Sequence, residues 1–177
     1  MKNKFIHYGV VLCLIAGVSA GILAYVNGKT KPIIEANNQK IENEARKKVL
    51  PLAMDFDISN TIKTEKFEFI PGYNENKEVV GYIAKGSSGG YGGKIEFLIG
   101  MDQAGKLTGL SVLSHSETPD LGSKITGEKW QESWIGRDKT YEFNKSVDAF
   151  AGATISPKAV YTGIKEILTT FESEVKK

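Results

Sequence analysis

Three short polar stretches hold the residue types with which this chain could do chemistry. The first is Ser87-Ser88-Gly89-Gly90-Tyr91-Gly92-Gly93. Its glycines would let backbone approach a phosphate or a flat ring closely. It precedes a strand, whereas the Walker A and dinucleotide fingerprints need a following helix. On its own it reads equally as a flexible turn with a β-bulge. The second is His115-Ser116-Glu117-Thr118-Pro119-Asp120-Leu121-Gly122-Ser123-Lys124. A lone histidine beside carboxylates suggests proton transfer. No Ser, Cys or second acid stands in a recognisable triad order, so hydrolase chemistry has little support. The third is Asp148-Ala149-Phe150-Ala151-Gly152-Ala153-Thr154-Ile155-Ser156, which leads into a helix. Small residues at 151–153 leave the backbone accessible. Free amides and the positive helix end favour an anion, so a phosphate near Thr154 is physically reasonable. The plainer alternative is a tight turn whose Thr and Ser merely cap a helix.

The elements that must position these stretches are legible from periodicity. Val160, Ile164, Ile167, Leu168, Phe171 and Val175 form one apolar stripe of a final helix. Ser156 is its expected N-cap and Pro157 its first residue. Strands are expected at 67–70, 79–84, 94–101 and 107–113, with Asp102–Lys106 as a hairpin loop and Pro71-Gly72 as a turn. The expected class is α+β: a mostly antiparallel sheet with helices packed on it.

Charge divides the chain. Of 177 residues, 23 are Lys or Arg and 21 are Asp or Glu, a formal net charge of +2. Lys2 and Lys4 account for that excess, because Phe5 to Val26 contains no charged residue. As a helix, these 22 residues would span about 33 Å, enough for a bilayer core of roughly 30 Å. A cleaved signal peptide is the alternative, with Val18-Ser19-Ala20 as its processing site, but the apolar run continues to Val26. The expected organisation is a tail at 1–4, a transmembrane helix at 5–26, a juxtamembrane helix at 27–50 and one domain at 51–177. Pro32 suits the first turn of the juxtamembrane helix and Pro51 closes it. Its Arg46-Lys47-Lys48 run reads as a solvated face or a contact for lipid headgroups. Gly17 and Gly21 form a G-x-x-x-G through which the first helix could pack against partner subunits. Lysines balance across the span, so charge says little about orientation. A cytoplasmic N-terminus and an extracytoplasmic domain are expected.

Composition excludes several functions. A near-neutral chain is no nucleic-acid binder by bulk charge. Cys13 alone excludes an intramolecular disulfide, a self-ligated Fe–S cluster and c-type haem attachment. His7 and His115 make no histidine-rich metal cluster, so no metal ligands are assigned. A redox role would therefore need an organic cofactor.

Together, the third stretch, the Glu117–Lys124 loop and Gly90-Tyr91-Gly92-Gly93 resemble the motifs of the FMN-binding domain family. With its N-terminal helix, the whole chain resembles the RnfG family, the G-subunits of Rnf ion-translocating electron-transport complexes. The C-subunit of the sodium-pumping NADH:quinone oxidoreductase is a related, usually longer, protein. The resemblance implies an electron-transfer component of a ferredoxin:NAD⁺ oxidoreductase complex in the cell membrane, with other membrane and redox subunits as partners. It implies FMN bound covalently through a phosphoester to Thr154, made by a separate flavin transferase using FAD. No catalytic residue is implied on this chain. Glu117, Thr118, Leu121, Gly122 and Lys124 would surround the flavin, with Gly152, Ala153 and Ser156 at its phosphate end. Asp148 would belong to the transferase recognition motif. Two positions depart from the family pattern: Ala151 replaces Ser or Thr, and Asp120 replaces Gly. Asp120 makes a positive φ less easy and adds a negative charge expected to lower the flavin's reduction potential. Trp130, Trp134, Tyr91 and Tyr141 are expected either beside the flavin or in the core. Two rival readings are a cofactor-free extracytoplasmic sensing domain on a signal anchor and an FMN-binding regulatory domain.

Overall fold

The uncharged N-terminal stretch opens a helix that does not end where the sequence suggests. In the computed structural model, which describes residues 2–176, helix α1 runs unbroken from Lys2 to Val49. The expected tail is thus helical from Lys2, while Met1 lies outside the described residues. The expected break near residue 27 is absent, and Pro32 sits inside the helix rather than in a first turn. An interior proline removes one amide donor and crowds the preceding turn, at a cost of about 3 kcal/mol. The helix continues through it even though Asn27, Gly28 and Thr30 beside it are weak helix formers. The Thr30 hydroxyl, next to the interruption, donates to the Val26 carbonyl at 3.0 Å.

Contacts divide the chain into residues 1–41 and 42–177. In the first unit, every side chain from Lys4 to Ile41 is exposed. An exposed apolar helix of this length is unfavourable in water, and it is long and apolar enough to cross a bilayer.

The second unit is built on an antiparallel sheet. Its strands are β1 (Asp55–Phe56), β2 (Ile62–Lys63), β3 (Glu68–Tyr73), β4 (Val79–Gly89), β5 (Lys94–Met101) and β6 (Leu107–Ser114). They run in the order β1-β3-β4-β5-β6, and β2 also pairs with β3. Helices α2 (Glu128–Glu132), α3 (Lys145–Asp148) and α4 (Ile155–Thr170) follow. Alternation along β5 sends Ile95, Phe97, Ile99 and Met101 into one core with Val160, Ile164, Ile167 and Leu168 of α4. Leu98 points the other way, into a second core with Ala45, Val49, Leu50 and Ile83. The sheet is therefore covered on one face by α4 and on the other by the end of α1.

Pro71-Gly72 is not a turn but lies inside β3, paired with Tyr82 and Gly81 of β4. The Pro71 carbonyl accepts from the Asp57 amide at 3.2 Å, on the side away from β4. The proline nitrogen faces that same side, between β1 and β2, so no bond to β4 is lost.

The end of α1 needs a flat seat. Gly100 and Gly109 pair directly across β5 and β6 beneath Val49. A Cβ on Gly109 would lie 2.5 Å from the Val49 Cα. The Val49 carbonyl, left open by the helix end, accepts from the Thr108 hydroxyl at 2.6 Å. Gly109→Ala is expected to destabilise this unit by about 2 kcal/mol in urea unfolding. Gly89→Ala, where a Cβ meets nothing within 4 Å, is expected to change stability by less than about 0.5 kcal/mol.

Candidate functional site

One buried carboxylate gathers three loops. Glu117, only 5% exposed, follows β6. It accepts from the Gly92 amide at 3.0 Å, the Tyr91 amide at 3.3 Å and the Ser156 hydroxyl. The first two donors lie in the β4–β5 turn, which the Gly90 amide closes onto the Gly93 carbonyl at 2.7 Å. The third lies in the first turn of α4. The approach is tight: a Cβ on Gly122 would sit 2.6 Å from both the Glu117 carboxylate and the Ser156 hydroxyl. His115 supports the loop locally, its Nδ1 accepting from the Glu117 amide at 3.1 Å.

These loops enclose a cavity of about 260 Å³. It is lined by Tyr91, Glu117, Thr118, Leu121, Gly122 and residues 152–156. Eight of the nine expected cofactor residues therefore meet around one space. Lys124 does not. It is exposed in the 3₁₀ turn Gly122–Thr126 and is not part of the lining. Tyr91 joins the lining, whereas Trp130, Trp134 and Tyr141 belong to the core. Ile155 also lines the cavity; it lies within the third stretch but is not among the residues expected around the flavin. A large apolar residue beginning a helix outside its buried stripe is the available signal, and it is 54% exposed.

The start of α4 also corrects the expected cap. Thr154, not Ser156, is the N-cap, and Pro157 occupies the third helical position. The Ser156 hydroxyl is taken by Glu117, while Pro157 still falls where no intrahelical amide bond is needed. The Thr154 side chain makes no capping bond, and among the described residues its hydroxyl has no protein partner. It is half-buried in the cavity wall. Helix geometry leaves the Ile155 and Ser156 amides without intrahelical acceptors beside it. An uncommitted hydroxyl next to open amides at a positive helix end fits a phosphoester. The exposed apolar walls of Tyr91, Leu121 and Ile155 suit an aromatic ring system.

Asp148 lies behind this wall. Its side chain is 0% exposed. The carboxylate accepts from Arg137 Nη1 at 2.8 Å, the Tyr141 hydroxyl at 2.8 Å and the Asn144 amide at 2.7 Å. Its backbone carbonyl accepts from Trp130 Nε1 at 2.8 Å. The next residues form a tight turn in which Phe150 and Ala153 exchange two backbone bonds, with Gly152 at φ +79°. Burial pushes the Tyr141 phenol above its ordinary value of 10.0, and its bond to Asp148 pushes the same way.

Asp120 has φ +59°. The Leu121 amide bonds back to the Thr118 carbonyl at 3.3 Å, with Pro119 and Asp120 between them. Proline followed by a positive φ is the type II pattern, which favours Gly at the Asp120 position. The Asp120 side chain is exposed and outside the cavity lining, so solvent screens its charge.

Two outcomes follow from these contacts. Tyr141→Phe is expected to cost about 2 kcal/mol near neutral pH, the range for a bond to a charged group. Because the folded phenol titrates above the unfolded one, wild-type stability falls as pH rises past 10, and the gap to Tyr141→Phe narrows. Urea unfolding across that pH range checks this. Asp120→Gly is expected to raise stability by about 0.5 kcal/mol in the same assay, because relief of left-handed strain exceeds the added glycine entropy.

Residues 90–169 match the FMN-binding domain family, and residues 1–49 match the family described as the RnfG N-terminal region. The chain is 32% identical to the G-subunit of the Na(+)-translocating ferredoxin:NAD(+) oxidoreductase complex of Acetobacterium woodii, over 93% of this chain and 90% of that protein. It is 30% identical to the G-subunit of the proton-translocating ferredoxin:NAD(+) oxidoreductase complex of Clostridium ljungdahlii, over 91% of this chain and 88% of that protein. The crystal structure of NqrC from Shewanella oneidensis shares the fold, with a TM-score of 0.50 over 67% of this chain and 66% of that chain at 16% identity. The chain therefore belongs to the RnfG family, the G-subunits of ion-translocating oxidoreductase complexes, as a membrane-anchored member with an FMN-binding domain.

Proposed function

We propose that this chain holds FMN as a phosphoester on Thr154 and relays electrons within an ion-translocating ferredoxin:NAD⁺ oxidoreductase complex. The observation that carries the reading is the uncommitted Thr154 hydroxyl, half-buried in the cavity wall at the N-terminus of α4. When bound, FMN supplies exchange of one or two electrons. The residues of this chain do the rest. The amides at the start of α4 offset the phosphoester's negative charge. Tyr91, Leu121 and Ile155 offer apolar surface for the ring, and Glu117 fixes the loops that carry them. Ala151 withholds one hydroxyl from this region and leaves the attachment hydroxyl in place.

Donor and acceptor come from other subunits in this reading, and this chain has no complete active site of its own. Residues 5–26 lie in the bilayer with the N-terminus cytoplasmic and the flavin domain extracytoplasmic. Tethering then keeps the cofactor where free FMN is not replenished. One relative is named for Na⁺ and another for protons, and they match this chain with similar identity.

Covalent attachment has a simple test. The full chain is produced in membranes with a flavin transferase, then denatured and viewed on a gel under ultraviolet light. Wild type and Thr154→Ser are expected to fluoresce. Thr154→Ala is expected to lose the signal, and a Thr154→Ala band that still fluoresced would put the flavin elsewhere.

A further inference from the structure

Arg137 lies outside the cavity and outside the 148–156 stretch, yet it is the cation bonded to the buried Asp148 carboxylate. We propose that Arg137 is a positioning residue for modification of Thr154: it neutralises Asp148 and so fixes the turn that presents the Thr154 hydroxyl. This inference rests on the reading of Thr154 as the flavin attachment site.

Arg137 is itself held firmly. Its guanidinium carbon lies 3.9 Å from the Tyr141 ring centroid and 4.5 Å from that of Trp134. Its backbone carbonyl accepts from the Leu107 amide of β6 at 2.8 Å. A continuous path therefore runs from the sheet through Arg137 to Asp148. From Asp148, only the turn Phe150–Ala153 separates the anchored backbone from Thr154. That turn is held by its own two bonds and by the Phe150 ring against Trp130, with centroids 5.8 Å apart. Removing Arg137 leaves a carboxylate buried without its counter-charge, which drives Asp148 toward water and releases one end of the turn.

Attachment is sensitive to such a release. The Thr154 oxygen forms a new bond to the flavin-side phosphorus of FAD, the pyrophosphate bond breaks, and AMP leaves with the bridging oxygen. The hydroxyl proton passes to the transferase or to solvent. A reaction of this kind depends on the alignment of the attacking oxygen. Because the Asp148 side chain is fully buried, a transferase acting on the folded chain meets its effect through the turn rather than through direct contact.

The full chain is co-produced in membranes with the transferase, and covalent flavin is measured per folded chain, the folded fraction being taken from protease resistance. Arg137→Met is expected to lower flavin per folded chain about tenfold. Arg137→Lys keeps the charge and loses the stacked plane, so it is expected between Met and wild type. Leu98→Ala, in the second core away from the turn, destabilises the fold and is expected to keep wild-type flavin per folded chain. Wild-type incorporation in Arg137→Met overturns the proposal, and so does a loss in Leu98→Ala as large as that in Arg137→Met. If Arg137→Met yields no folded chain, Arg137→Lys decides: a level below Leu98→Ala supports the proposal and an equal level overturns it. Thr154→Ala on the same gel separates the two readings, because fluorescence there defeats the attachment site itself whatever Arg137 does.

Discussion

Among the described residues no cation pairs with the buried Glu117 carboxylate, so it must find hydrogen-bond donors, and it finds three at once. Two are backbone amides of the β4–β5 turn, and one is the Ser156 hydroxyl in the first turn of α4. Leaving such a group unpaired would cost several kcal/mol, so the three loops are held together by the need to satisfy it. The cavity is the space that remains between them. Gly92 and Gly122 follow from the same constraint, because a side chain at either would collide with the Glu117 loop.

Thr154 stands between two such anchors. On one side Ser156 is bound to Glu117. On the other, Asp148 is locked by Arg137, Tyr141 and Asn144. The local polar groups that could have competed for the Thr154 hydroxyl are thereby already engaged. A helix N-terminus usually uses such a hydroxyl as its cap, and here it stays free. The frame beneath is stiff: α4 lies on one face of the sheet, and the end of α1 sits on Gly100 and Gly109 on the other.

Much of this was legible in the sequence. Period-two alternation located the four long strands, and the apolar stripe located α4. What failed depended on contacts between residues distant in sequence. Ser and Thr are both good caps by local rules; Glu117, 39 residues away, engages Ser156, while Pro157 at the third helical position offers Thr154 no amide to accept from. Pro71-Gly72 carries a turn signature, but pairing with Tyr82 and Gly81 overrides it. β4 extends to Gly89 because Gly89 pairs with Lys94, although its own residues favour a loop. Pro32 reads as a helix start locally, and the long helix on both sides absorbs it. The Arg137–Asp148 pair has no spacing motif to announce it, and nothing local in the sequence marks Asp148 as buried. The three loops were recognisable separately, and their convergence was implied only by family resemblance.

If Thr154 carries the flavin, a single tryptic peptide bears it. Trypsin should release Ser146–Lys158 from the full chain matured with a flavin transferase, and that peptide contains Ser146, Thr154 and Ser156. Tandem mass spectrometry of this peptide is the most direct test. The expected result is the added mass of one FMN less one water, located on Thr154. An unmodified peptide from flavin-bearing protein, or the same mass on Ser146 or Ser156, would contradict it.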